Sequence, residues 1–144
     1  MRTYADSSFL VSLYVIDLHS VRAAAFMRKR TSPLPFSPLN RHEVRNAVHL
    51  ALFRQEIDLA KRIAALSQIE ADIRDGILAP IFVSWSDVYQ QAEKLADLHS
   101  AIFGCRGIDI LHIATAVTLG ANEFLTFDRR QRQLAEAADL TVRL

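Results

Sequence analysis

Short β-prone runs alternate with longer stretches of helical periodicity along the whole chain, and this alternation restricts the fold more than any other feature. The pattern predicts strands over Arg2–Ala5, Ala79–Val83, Glu123–Phe127 and Thr141–Arg143. Between them it predicts helices over Val21–Lys29, Leu39–Arg54, Glu56–Asp75, Asp87–Ile102, Ile108–Leu119 and Arg129–Ala138, plus one directly after Asp6 with Ser7 or Ser8 as its N-cap. Gly76 and Gly120 mark two helix ends. Ser32-Pro-Leu-Pro-Phe-Ser-Pro38 can only be a loop or a short edge-type strand, because proline donates nothing to a ladder. Strands joined by crossover helices imply an α/β fold with a mostly parallel sheet.

Size and composition agree with this reading. The chain has 144 residues, 51% of them hydrophobic, with only four glycines and four prolines. That is enough material for one domain with a real core, residues 1–144, and nothing in it resembles a linker, a repeat or a low-complexity tract. Seventeen basic residues against sixteen acidic ones leave a net charge of +1, so nucleic-acid binding would need a local basic patch. A single cysteine, Cys105, excludes an internal disulfide and fits a reducing, cytoplasmic setting. The apolar run Phe9–Ile16 is bracketed by Asp6 and Asp17, with Arg22 beyond, which argues against export. Ile108–Ala121 is interrupted by Asp109 and His112 and is too short to span a bilayer, so no membrane role is expected.

Acids in awkward places are the chemical signal. The helix Ile108–Leu119 is apolar nearly all round and should be buried, yet Asp109 stands in its first turn. A desolvated carboxylate is costly unless paired, capped or bound to metal. It could equally meet the free amides and positive end of its own helix. Asp6 and Asp128 each close a strand before a helix, the edge of an α/β sheet where ligands gather and also where helix caps sit. Glu43 is ambiguous. With Asn40 as N-cap it completes a capping box, whereas with Ser37 as N-cap and Pro38 at the first helical position it lies beyond the first turn.

The segments Tyr4-Ala-Asp-Ser-Ser-Phe-Leu-Val-Ser-Leu13, Arg41-His-Glu-Val-Arg-Asn-Ala47, Ile108-Asp-Ile-Leu-His-Ile-Ala-Thr-Ala116 and Leu119-Gly-Ala-Asn-Glu-Phe-Leu-Thr-Phe-Asp128 resemble the PIN-domain family. The likeness is strongest to VapC-type toxins of toxin–antitoxin pairs, and it runs in order along essentially the whole chain. It implies a three-layer α/β/α sandwich and a metal-dependent endoribonuclease whose Asp6, Glu43, Asp109 and Asp128 hold Mg²⁺ or Mn²⁺ directly or through water. Ser8 would orient a ligand or a metal-bound water, and Thr126 would support Asp128. Hard oxygen donors suit these cations, and a cation relieves the repulsion among converging carboxylates. The resemblance further implies an RNA substrate, a protein antitoxin and a homodimer.

One departure stands out. Many relatives carry a second acid shortly after the fourth motif, where this chain has Asp128-Arg-Arg-Gln-Arg132, which leaves a second metal position in doubt. Arg129, Arg130 and Arg132, with Arg106, either contact RNA phosphates or are ordinary surface residues. His112, one turn after Asp109, reads mainly as a satisfied core histidine. No Gly-rich phosphate loop and no His-x-x-x-His spacing occur, which excludes P-loop hydrolysis and the zincin pattern. A rival reading keeps the fold but not the chemistry: a PIN-like module that binds RNA or a protein partner without cutting. The acid set discriminates between the two, and all four positions are filled.

Overall fold

In the computed structural model, which describes residues 2–144, every strand pairing is parallel, as the alternation of strands and helices requires. The chain divides into two compact units. One comprises the residues up to Asp6 together with Phe82–Leu144, and the other is Ser7–Ile81.

The first unit is built on a three-stranded sheet in the order β1 (Thr3–Ala5), β4 (Glu123–Leu125), β5 (Thr141–Arg143). Tyr4 stacks on Phe124 across the β1–β4 pair, with ring centroids 6.1 Å apart. Helix α5 (Trp85–Leu95) packs along α7 (Gly107–Thr118), and α8 (Arg129–Ala137) packs against α7 as well. Ile113, Ala114, Phe124, Leu125 and Leu134 are fully buried here, the larger ones contributing about 1.5–3 kcal/mol each. Helix α7 is buried over most of its circumference, as its apolar sequence demands.

The second unit holds α1 (Ser7–Tyr14), α2 (Ser20–Arg28), β2 (Leu34–Phe36), α3 (Pro38–Phe53), α4 (Leu59–Arg74) and β3 (Leu78–Pro80). Helix α1 packs on α2, α3 and α4, and Phe9 meets Phe26 edge-on at 5.8 Å. The Pro-rich stretch supplies β2, which pairs with β3 alone, so Pro35 sits in a two-stranded sheet where few ladder bonds are lost.

Several boundaries differ from the sequence expectation, each for a local reason. Helix α4 starts at Leu59, not Glu56, because Gln55 adopts a left-handed conformation (φ 60°) that closes α3, with Glu56 N donating to Ala51 O at 2.9 Å. Asp58 then caps α4 by accepting from Lys61 N at 2.8 Å. Strand β3 stops at Pro80; one last bond, Ile81 N to Phe36 O, precedes its departure from the sheet, so Phe82 and Val83 lie outside it. The helix expected over Asp87–Ile102 is broken into α5, a π-helical turn at Ala96–Ser100 and the short α6 (Ala101–Phe103), ended by Gly104 at φ 63°. Helix α1 begins at Ser7, which places Ser7 and Ser8 in its first turn rather than before it. Among the described residues no helix is long and apolar enough to cross a membrane.

Candidate functional site

Three of the four acids singled out in the sequence fall in the first unit. Asp6 extends the β1 ladder by one bond, its amide donating to Leu125 O at 3.0 Å, and its side chain is wholly buried. Thr126 follows β4 directly and is buried too; its hydroxyl donates to Asp6 Oδ2 at 2.6 Å and accepts from the Asp128 amide at 2.9 Å. The threonine therefore ties Asp6 to the segment carrying Asp128, a wider role than the support of Asp128 alone.

Asp128 caps α8: its Oδ1 accepts from Arg130 N at 2.8 Å and Gln131 N at 3.1 Å. The helix-cap reading of this residue is thus met, and a cap's remaining oxygen lone pairs do not exclude a second role.

Asp109 is 2% exposed in the first turn of α7. The bonds to its carboxylate come from side chains, not from its helix's own amides. Arg106 donates from Nε to Oδ2 at 3.0 Å and from a terminal nitrogen to Oδ1 at 3.3 Å, while Gln131 Nε2 donates to Oδ1 at 3.3 Å. Arg106 occupies the N-cap position of α7 without making a side-chain cap bond, and its own side chain is 60% exposed. A two-point guanidinium fork is the strongest neutralising partner a protein can offer a carboxylate. The Asp109 charge also reaches Cys105, whose thiol is pushed up first by burial and then by that carboxylate, so it remains a poor nucleophile at neutral pH.

Asp6, Thr126, Asp128, Gln131, Asp109 and Arg106 therefore form one continuous hydrogen-bonded series at the carboxyl edge of the β1–β4 pair and the starts of α7 and α8. Gln131 is the member sequence reasoning missed. It is buried, and its Oε1 has no hydrogen-bond partner. A signal existed, because Gln131 lies three and four residues before Leu134 and Ala135, on the buried stripe of α8 where a polar residue is out of place.

Glu43 belongs to the second unit, two turns into α3. The N-cap of α3 is Ser37, whose hydroxyl accepts from Asn40 N at 3.1 Å while Asn40 Oδ1 accepts from Ser37 N at 3.0 Å. That closed box removes the capping role Glu43 would have had with Asn40 as N-cap. Its Oε2 instead accepts from the Ser7 hydroxyl at 2.6 Å, so Ser7 is a partner the sequence reading passed over in favour of Ser8.

The arginines divide. Arg129 and Arg130 are exposed at the start of α8, whereas Arg132 donates to the Leu144 carbonyl. His112 is buried with its Nδ1 3.3 Å from the Tyr4 hydroxyl, a satisfied core histidine as expected.

A family model described as PIN domain matches residues 3–137. No curated protein matches the chain. Among solved structures, VapC20 of Mycobacterium tuberculosis, described as a sarcin-ricin loop cleaving toxin, is similar at 19% identity with a TM-score of 0.69, covering 99% of both chains. VapBC-1 from nontypeable Haemophilus influenzae is similar at 13% identity and TM-score 0.66, covering 99% of this chain and 97% of the other. FitAcB from Neisseria gonorrhoeae is similar at 18% identity and TM-score 0.62, covering 97% of this chain and 95% of the other. At these identities the likeness shows the fold.

Proposed function

Because the chain belongs to the PIN-domain family, we propose that it is a metal-dependent endoribonuclease, the toxin of a toxin–antitoxin pair, acting as a single domain in the cytoplasm. The observation that carries this reading is the burial of two carboxylates, Asp6 and Asp109, in one hydrogen-bonded series with Asp128. Folding gains little from burying charged groups that well-packed apolar residues could replace, so their presence calls for a task.

The side chains suit a hard divalent cation. Among the described residues no three acids, histidines or cysteines make a ready cage. The donors are nonetheless oxygens throughout, and the partnerless Gln131 Oε1 is a further buried oxygen beside Asp109. Mg²⁺ keeps several waters and needs only one or two protein carboxylates, with Mn²⁺ similar in its oxygen preference. Asp6, Asp109 and Asp128 would hold the ion directly or through water. Glu43, which lies in the other unit, is added on the family likeness alone. When bound, the cation supplies an activated water and stabilises charge on the departing oxygen of a phosphodiester.

The chain's own groups do the positioning. Thr126 fixes the Asp6 carboxylate, and Ser8 in the first turn of α1 is assigned to orient a ligand or water. Arg106, Arg129 and Arg130 would bind RNA phosphates, which positions the strand without reading its sequence. A protein antitoxin and a second copy of the chain complete the proposal, supported by the fold's likeness to VapBC-1 and FitAcB.

Two observations favour the non-catalytic alternative: the Asp109 carboxylate is already paired with Arg106, and Asp128 already caps a helix. RNA cleavage by the purified protein separates the readings. The nuclease cuts with Mg²⁺ or Mn²⁺, stops in EDTA and is lost in Asp109→Asn. No cutting across a broad RNA panel, with no heat of metal binding to the folded protein, would leave the binding module.

A further inference from the structure

We propose that Gln131 belongs to the divalent-cation centre: its Oε1 accepts a hydrogen bond from a water carried by the ion, as a neutral member of an otherwise acidic set. The inference rests on the nuclease reading above and extends it to a residue outside the carboxylates.

Gln131 is bonded to two acids of its own unit through two different atoms. Its backbone N donates to Asp128 Oδ1 at 3.1 Å, and its Nε2 donates to Asp109 Oδ1 at 3.3 Å. The side-chain amide cannot be turned over, because that would set Oε1 against a carboxylate oxygen with no proton between them. Oε1 is therefore the atom left over, and among the described residues no group donates to it. Bulk solvent does not satisfy it either, since Gln131 is only 6% exposed. The O and N of one amide are about 2.2 Å apart, so Oε1 lies no more than about 5.5 Å from Asp109 Oδ1. An octahedral Mg²⁺ holds its oxygens at about 2.0–2.1 Å, and a hydrogen bond from one of its waters adds about 2.8 Å. That acceptor is within reach of a water on an ion held by Asp109.

An apolar residue would serve the fold better. Gln131 stands on the buried stripe of α8 with Leu134 and Ala135, where leucine would leave no acceptor stranded. The bond to Asp109 accounts for Nε2 and leaves Oε1 without a purpose. A stranded acceptor beside carboxylates calls for a ligand that brings positive charge and donors together. A hydrated divalent cation does both: the ion answers the carboxylates, and its polarised waters donate to Oε1. The neutral amide gives that shell an oxygen without adding repulsion among the acids.

The test is Mn²⁺ titration by calorimetry on the full chain as wild type, Gln131→Leu and Gln131→Glu, with thermal melting in EDTA and in saturating Mn²⁺. Gln131→Leu should fold and bind Mn²⁺ about tenfold more weakly, as expected when an outer partner of a metal site is removed. Gln131→Glu returns an oxygen to the same place with a charge, and should bind at least about tenfold tighter than wild type. In EDTA this variant should melt below wild type, because a second buried carboxylate then faces Asp109. Saturating Mn²⁺ should raise its melting temperature by more than it raises that of wild type. Wild-type affinity in Gln131→Leu would overturn the inference while leaving the metal site intact. A folded Gln131→Glu that binds no tighter than wild type would overturn it as well, confining Gln131 to orienting Asp109. So would a Gln131→Glu chain that stays unfolded in saturating Mn²⁺, since no ion then meets the new charge. Folded wild type that binds no Mn²⁺ would overturn the nuclease reading and the inference with it.

Discussion

Helices α3 and α7 begin in opposite ways, and the contrast separates polar groups bonded to their own helix's backbone from one bonded to other side chains. At the start of α3, Ser37 and Asn40 are both fully buried, and their polar atoms close a box on the helix's own backbone. At the start of α7, Arg106 caps nothing, and Asp109 turns from the helix amides to Arg106 and to Gln131 of α8. Orphan amides at a helix start account for the two bonds of the first arrangement. They do not explain the second, in which a buried charge is kept among side chains of separate elements. A buried polar group that serves the backbone is accounted for by the fold; a fully buried charge held by another charge requires a further account.

The same contrast holds within the second unit. Asp72 accepts from Tyr14 at 2.6 Å and from Gln68 at 2.8 Å, neutral donors that satisfy it locally. Nothing in that pair calls for a ligand.

Substitutions can break or sharpen the comparison. Asp6→Asn should have the largest effect, a loss of RNA cleavage of more than about 100-fold with the fold retained, since loss of a proposed ligand should exceed the 10–100-fold cost of outer partners. Cleavage assays paired with circular dichroism would check it. Gln131→Leu should come next, lowering metal affinity and cleavage by about tenfold, because Asp109 loses a neutral donor and the buried Oε1 is removed. Ser37→Ala should act the other way round. Denaturant unfolding should show about 1–2 kcal/mol of lost stability, and cleavage by the folded fraction should not change.

The smallest effect concerns Tyr14 and appears only at alkaline pH. Burial, then the hydrogen bond and charge of Asp72, push the Tyr14 hydroxyl well above its ordinary value near 10. The folded state therefore holds this proton more tightly than the unfolded state. The associated stability is fully present below about pH 10 and is lost as pH rises beyond it. Tyr14→Phe should cost about 1 kcal/mol at pH 7, and the gap from wild type should narrow as unfolding is measured above pH 10.

Most of the elements, and the places that Asp6, Asp109 and Asp128 take in the fold, were legible in the sequence, because both depend on local order. Strand-then-helix junctions located Asp6 and Asp128, and an acid in an all-apolar helix located Asp109. The partners were not legible. Gln131 and Ser7 matter through contacts with residues 22 and 36 positions away, and periodicity reports only which face a residue lies on, not what it meets there. The N-cap of α3 was ambiguous because Ser37 and Asn40 are both good caps; the tie was broken by Pro38, which suits the first helical position. The late start of α4 depended on left-handed Gln55, a conformation that a non-glycine residue does not advertise.

The most direct measurement compares Asp109→Asn with Ser37→Ala on matched preparations, recording RNA cleavage in Mn²⁺ and unfolding free energy for each. The account expects the two effects to separate. Asp109→Asn should abolish cutting by protein that still folds, and Ser37→Ala should lose stability while its folded fraction cuts normally. An Asp109→Asn protein that still cuts RNA at the wild-type rate but unfolds far more readily would contradict it, placing Asp109 with Ser37 among residues that serve only the fold.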